Sequence, residues 1–465
     1  MTHANDKAAI EAALQQVCFG QERLLPQPSA SLHNLTLARG TFGDVSLGLM
    51  MSAEHTCNSG CGEDNIANSH TTANNTATLC AYKTVTRAWD WNYKRLLPSV
   101  VAEIQALKRL GSHSDIITLH AVVAEKESSS SIPSLTLVMD FATVDLYLVL
   151  ECQRRRRPPT TRTALLTSWN VVTSVAHDVQ AALQHCHAHG IVHGDVKPGN
   201  LLLDGRTGHW QLCDFGICQP LQADLYQNKS DDDEGSKTNQ DENTTTKQST
   251  IPPKPTALGT LYYRAPEVLL GTPAVHSSVD LYAAGCVVAE VINGGRPLFM
   301  ADNGNGGLST SDVSQLTCIF AGLGTPATAE DLGGLAADWG KLQFTPQPGL
   351  TWIQLVPRVG ETNTGAPTWL QSWLQALVRI NPRQRHWAND KEISYTIDRA
   401  AVVQECQILP PPLVLYPNKI GDIVTHGHNK DKVVPPPWAH LAAWAKQRRT
   451  FLSTVGEQDA KWTQG

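Results

Sequence analysis

The hydrophobic pattern of this chain changes period once, near residue 145, and that change limits the folds open to it more than any other feature. Before it, short runs alternate like strands: Leu35-Thr-Leu, Val45-Ser-Leu-Gly-Leu, Leu79-Cys-Ala-Tyr-Lys-Thr-Val, Ile116 to Val123 and Leu135 to Phe141. A period of two sends every second side chain to one sheet face. One segment of this half differs. Pro98 to Leu110 has apolar residues at helical spacing and opens on proline, whose missing N–H costs nothing in a first turn. After residue 145 helices dominate, with a long amphipathic one at Trp169 to His189 and a nearly apolar one at Val279 to Asn293. A small β-rich half followed by a larger helical half is an α+β order and predicts two lobes with a cleft between them.

Two stretches break this texture. Residues 52–78 are rich in Asn, Thr, Ser and Gly, and residues 227–256 run from the acidic Asp231–Glu234 through polar repeats to Ile251-Pro-Pro-Lys-Pro. Neither has the apolar surface needed to offset the entropy of ordering, so both are expected to be disordered insertions. The resulting organisation is an N-terminal extension (1–30), a β-rich lobe (31–142), a helical lobe (143–396) and a C-terminal extension (397–465). In that extension, Pro410–Pro412, Pro435–Pro437 and the helix-like Trp438 to Gln447 suggest a tail folded back on the large lobe.

At 41% hydrophobic and 17% charged residues, the chain can bury a sizeable core. The net charge of −6 argues against nucleic acid or an anionic membrane as the main partner. The basic run Arg154–Arg157 reads as a solvated turn ahead of Pro158-Pro159. Eleven cysteines without framework spacing, and a start lacking a secretory pattern, point to free thiols in the nucleus or cytoplasm. Cys57, Cys61, His55 and His70 fit no zinc spacing. The Val279–Ile292 segment carries Asp280 and Glu290 and is too short to span a bilayer.

The chemistry concentrates in His193-Gly-Asp-Val-Lys-Pro-Gly-Asn200, a Leu-Leu-Leu strand and Asp214-Phe-Gly216. Transfer of a phosphoryl group from ATP needs a cation on the moving group, Mg²⁺ against the phosphates and a base beside the attacking hydroxyl. Asp195 suits the base and Lys197 the γ-phosphate. Asn200 and Asp214 offer the oxygen ligands that a hard cation takes.

On these residues the chain resembles the eukaryotic protein kinases, with Ala265-Pro-Glu267 and Asp280…Gly285 following in the family's order over roughly residues 33 to 390. The resemblance implies a two-lobed fold: a small β-rich lobe with one regulatory helix, and a larger, mainly helical lobe. It places Lys83 on the α- and β-phosphates with Glu103 as its ion-pair partner. The glycine loop reads Ala38-Arg-Gly40-Thr-Phe-Gly43-Asp-Val45, with Ala38 where the family has glycine and a loss of some backbone freedom there. Val45, Ala81 and Leu202 would line the ATP site, Met139 would be the gatekeeper, and backbone groups of Asp140 and Ala142 would bond adenine. Cys213 would line the same site, as a reactive thiol or as a small packed hydrophobe.

Lys197 and Thr260 follow the serine/threonine pattern, and Tyr263-Arg264-Ala-Pro-Glu267 is close to the form in cyclin-dependent kinases. Gln315 to Pro326 resembles that group's insert helix, and Pro98-Ser-Val-Val-Ala-Glu103 a shortened cyclin-binding helix. The resemblance therefore implies a protein substrate and a cyclin-like or other activating partner. It also implies that Arg385 braces Glu267. Gly259 can take the left-handed backbone by which proline-directed relatives admit proline after the phosphoacceptor, and Gly-Thr is also the common form in kinases without that preference.

Three positions depart from that group. Gly194 and Ala102 stand where arginines grip an activation-loop phosphate, and the position of the usual phosphorylated threonine falls on Pro255, with Thr250 and Thr256 nearby. Activation independent of that phosphate is the expectation. The rival reading is an inactive kinase fold used as a scaffold; the complete set Lys83, Glu103, Asp195, Lys197, Asn200 and Asp214 argues against it.

Overall fold

A computed structural model describes residues 2–20, 36–40, 43–51, 77–86, 88–90, 92–125, 134–155, 167–221, 259–272, 276–300, 311–334, 339–360, 365–387, 396–406, 443–450 and 453. Outside these lie residues 52–76 with their Cys and His cluster, the whole of 227–256 with Thr250, Pro255 and Thr256, the loop residues Thr41 and Phe42, and both proline runs of the C-terminal extension.

The chain forms two compact units, the first made of Met1–Arg156, Gly199–Gly216 and Asp398–Gln464, the second of Arg157–Pro198 and Ile217–Ile397. The first is β-rich and the second helical, the α+β arrangement that the period change predicts.

In the first unit, helix α1 (Thr2–Val17) precedes strands β1 (Thr36–Gly40), β2 (Gly43–Met51) and β3 (Ala77–Val85), helix α2 (Pro98–Leu110), and strands β4 (Leu119–Glu125) and β5 (Ser134–Asp140). The five strands make an antiparallel sheet in the order β1-β2-β3-β5-β4. Alternation sorts its side chains as expected. Val85, Val122, Leu135 and Leu137 join Ile10, Leu14, Val17, Val100 and Ile104 in one core cluster, while Cys80, Tyr82, Ala121, Val123 and Val138 form a second. Each such aliphatic side chain, fully buried, contributes about 1.5–3 kcal/mol. Thr84 and Thr136 face each other across β3 and β5 with hydroxyls 3.0 Å apart.

Several boundaries differ from the sequence expectation. Strand β3 begins at Ala77, inside the stretch assigned to the first insertion. Strand β4 starts at Leu119 because Ile116 and Ile117 turn to a different partner: Ile117 N–H donates to Leu212 O at 3.0 Å, and Leu212 N–H to Asp115 O at 2.8 Å. Arg154 lies in the last turn of α3 (Leu146–Arg155), paired with Glu151, so the basic run begins inside a helix instead of a turn. Asp145 caps that helix by accepting the Leu148 N–H at 2.8 Å.

The C-terminal extension contributes α8 (Arg399–Cys406), after the second unit's helices, and a helical stretch at 443–450 to this same β-rich unit. Trp444 packs edge-on against Phe141 at 5.6 Å. Arg448 and Arg449 donate to the carbonyls of Leu37 and Thr36 at 3.1 and 2.6 Å. The extension was expected on the large lobe; its arginines instead satisfy carbonyls of the β1 edge.

The second unit is built around α4 (Trp169–Ala188) and α5 (Ser278–Ile292), joined by α6 (Asp312–Leu323) and α7 (Leu370–Leu377). Ser168 caps α4 by accepting the Val171 N–H. Every residue of α5 from Val279 to Ile292 is buried, so its polar groups need partners. Glu290 takes the Tyr263 hydroxyl at 2.7 Å, and Trp373 Nε1 donates to Gln180 at 2.7 Å. Among the described residues no helix is long and apolar enough to cross a membrane.

Candidate active site

In the first unit the site begins with Lys83 on β3, opposite Val45 on β2 and Leu137 on β5. Its ammonium lies 2.7 and 2.8 Å from the two oxygens of Glu103 on α2, and 3.5 Å from Asp214 Oδ1. Burial by itself would lower the lysine pKa, but the Glu103 and Asp214 carboxylates outweigh it and raise the value. The cation is therefore fixed in charge as well as in place. Glu103 is buried on a helix that also puts Val100 and Ile104 into the core, so its carboxylate has little freedom.

Asn200 and Asp214 flank a hairpin of Leu201–Leu203 and Trp210–Leu212, and the Cys213 N–H donates to Asn200 O at 3.0 Å. Asp214 takes a left-handed backbone, φ 64°, unusual for a residue with a Cβ. Phe215 beside it is fully buried, while the Asp214 side chain is 49% exposed. The strain turns the carboxylate away from the core that the phenyl ring enters. Burial pushes the Cys213 thiol well above its ordinary pKa, which favours the packed hydrophobe over the reactive thiol.

Ala81 and Met139 are register partners on β3 and β5, and Ala38 pairs with Val45 on the outer hairpin. Asp140 ends β5 with its N–H on Thr118 O at 3.2 Å and its carboxylate on Thr118 N and His120 Nε2 at 3.1 and 2.7 Å. Burial would raise this carboxyl, yet His120 and Thr118 hold it below the usual range. Leu202 pairs with Asp145, and Ala142 follows Phe141 in the connection between β5 and α3. His120 escaped sequence reasoning, since a histidine on a strand carries no motif.

In the second unit the loop around Asp195 is pinned from below. Asp280, buried on α5, accepts the N–H groups of His193 and Gly194 and bonds His187 Nε2, all at 2.8 Å. Asp195 Oδ2 meets Lys197 Nζ at 2.7 Å, and its Oδ1 accepts both the N–H and the hydroxyl of Thr260 at 3.0 Å. Gly259 is left-handed, φ 75°, and a Cβ there would stand 3.0 Å from the Gly194 carbonyl. Its own carbonyl accepts from Arg264, which also pairs with Asp312 of α6 at 3.0 Å. Arg385 and Glu267 form a bidentate, fully buried pair at 2.6 and 2.8 Å. Arg385 further donates to three backbone carbonyls and lies over the Tyr282 ring. His187 and Asp312 were not singled out from sequence, because their partners are brought together only by packing.

A family model described as the protein kinase domain matches residues 62–387. The chain belongs to the protein kinase family. The match begins beyond the β1–β2 hairpin, within the stretch 52–78 read as an insertion. A solved chain from the CAK complex of Chaetomium thermophilum bound to ATP-gamma-S superposes on this kinase with a TM-score of 0.52 at 21% identity, covering 79% of this chain and 93% of that one. At that identity the likeness is one of fold. Of the kinase residues expected from sequence, Lys83, Glu103 and Asp214 meet in the first unit, as do Asp195, Lys197, Thr260 and Asp280 in the second.

Proposed function

We propose that this chain is a serine/threonine protein kinase, moving the γ-phosphate of ATP to serine or threonine hydroxyls of protein substrates inside the cell. The observation that carries the reading is the closed Lys83–Glu103 pair with the Asp214 carboxylate at 3.5 Å from the same ammonium. A charged, immobilised lysine serves phosphate oxygens without reorganising at the moment of reaction.

Asn200 and Asp214 fit Mg²⁺: both offer oxygen, one is a carboxylate, and the hairpin between them fixes their separation. When bound, the ion would neutralise charge on the phosphates. Adenine would lie beside Val45, Ala81, Met139 and Leu202 and bond the Asp140 carbonyl and the Ala142 backbone; that the Asp140 N–H is engaged by Thr118 agrees with its carbonyl being the group offered. In the transfer, the substrate oxygen bonds phosphorus, the bond to the β–γ bridging oxygen breaks, ADP leaves, and the hydroxyl proton passes to Asp195. Thr260 and Lys197 hold Asp195 in orientation for that proton.

Kinship with the cyclin-dependent kinases is supported by helix α6 at the expected insert and by its Asp312 contact to Arg264. The left-handed Gly259, its carbonyl turned to Arg264, supports proline after the phosphoacceptor. Radiolabelled ATP with Mg²⁺ and a serine/threonine peptide library tests the proposal. Transfer is expected, falling about 10²–10⁴-fold in Asp195→Ala and also lost in Asp214→Ala. A chain that binds nucleotide yet transfers nothing to peptide or to itself would instead be a scaffold.

A further inference from the structure

The N-terminal extension does more than lengthen the chain. Ile10, Leu14 and Val17 recur at helical spacing on one side of α1 and are buried with Leu96, Val100 and Ile104. Val100 and Ile104 are the α2 residues one turn before Glu103 and directly after it. Beyond α1, Phe19 exchanges two backbone hydrogen bonds with Val122 at 2.9 and 3.0 Å, extending the sheet past its β4 edge. The Phe19 ring also lies 4.3 Å beneath the Lys108 ammonium, in the last turn of α2. The extension thus grips α2 near its start, through the apolar cluster, and at its end, through the ring.

We propose that α1 and Phe19 act as an in-chain brace that holds α2 so that Glu103 stays on Lys83, giving the chain by itself the helix position for which a separate activating subunit would otherwise be needed. Leu14 and Phe19 are then positioning residues, acting through Glu103. The inference rests on the kinase reading for its effect on rate, but the brace itself can be measured without turnover.

The test compares full-length Leu14→Asp with Gln15→Asp, a neighbouring exposed position on the same helix. Amide exchange across residues 98–110 is expected to accelerate at least tenfold in Leu14→Asp and to stay at the parent rate in Gln15→Asp. With peptide substrate and no added protein, the parent is expected to be active, and kcat to fall about tenfold or more in Leu14→Asp with a smaller change in KM. Leu14→Met should restore both. If Leu14→Asp does not fold, Phe19→Ala and Leu14→Ala carry the same comparison. Unchanged exchange and kcat in folded variants would overturn the brace, as would a parent active only after a partner protein is added. Accelerated exchange with no turnover even in the parent would keep the brace and remove the kinase reading.

Discussion

Asp140 shows how one side chain can serve a site without touching substrate. Its carboxylate ties the end of β5 to Thr118 and His120, and so fixes the backbone where adenine is proposed to bond. Its pKa is lowered in the folded protein, so the unfolded chain binds the proton more readily. The stabilisation is present above the ordinary value of 3.8 and is lost as pH falls through the lowered one. The gap in melting temperature between parent and Asp140→Asn should therefore be widest near neutrality and close below that value; a gap independent of pH would refute the account. At this scale the motifs picked out residues that the fold brings together, Lys83 with Glu103 and Asp214, and Asp195 with Lys197 and Thr260. Such positions are legible because phosphoryl transfer would need one residue type at one offset. His120, His187 and Asp312 are not, because a supporting hydrogen bond can be made by many residue types from many places in the sequence.

At the scale of elements, the bidentate Arg385–Glu267 pair links the start of the helix after Ala265 to the turn after α7. Both groups are dehydrated, so removing one leaves a buried charge unmatched. Arg385→Ala should cost about 3–5 kcal/mol in chemical denaturation, and Arg385→Lys nearly as much, since an ammonium cannot make the paired contact. A loss below about 1 kcal/mol would mean that water reaches the site. Helix α2 was readable to the residue from its proline and its spacing, and β3 and β5 nearly so. Strand β4 begins three residues later than the strand-like composition of Ile116 and Ile117 suggests. Their buried side chains look the same in sequence whether their backbones pair with β5 or with Leu212. Helix α1 carries no clear signal in the sequence because its three core residues at 10, 14 and 17 stand among alanines and polar residues and make only a short apolar pattern.

For the whole molecule the question is what switches the enzyme on. Gly194, with φ 80°, stands where the resemblance to the cyclin-dependent kinases would put an arginine for an activation-loop phosphate, and its N–H is committed to Asp280. Thr260 meanwhile already orients Asp195 without any phosphate. Protein made in bacteria and treated with phosphatase is therefore expected to keep its rate within about twofold, since no charge-assisted bond to phosphate is lost. A collapse of activity on that treatment would refute this view. The division into a β-rich and a helical unit was visible in the change of period. The membership of each unit was not, because periodicity describes a segment and says nothing of where a distant one will dock.

The β-rich unit draws on three separate passages of the chain: the first 156 residues, a hairpin near residue 210 and the stretch beyond residue 398. Its sheet is complete early in synthesis, yet Arg448 and Arg449 reach Leu37 and Thr36 only once the chain has been made as far as residue 449. At roughly 5–20 residues per second, the ribosome leaves the β1 edge without those partners for on the order of 10–60 s after the sheet has emerged. During that interval the carbonyls of Thr36 and Leu37 must be satisfied by water or by a chaperone.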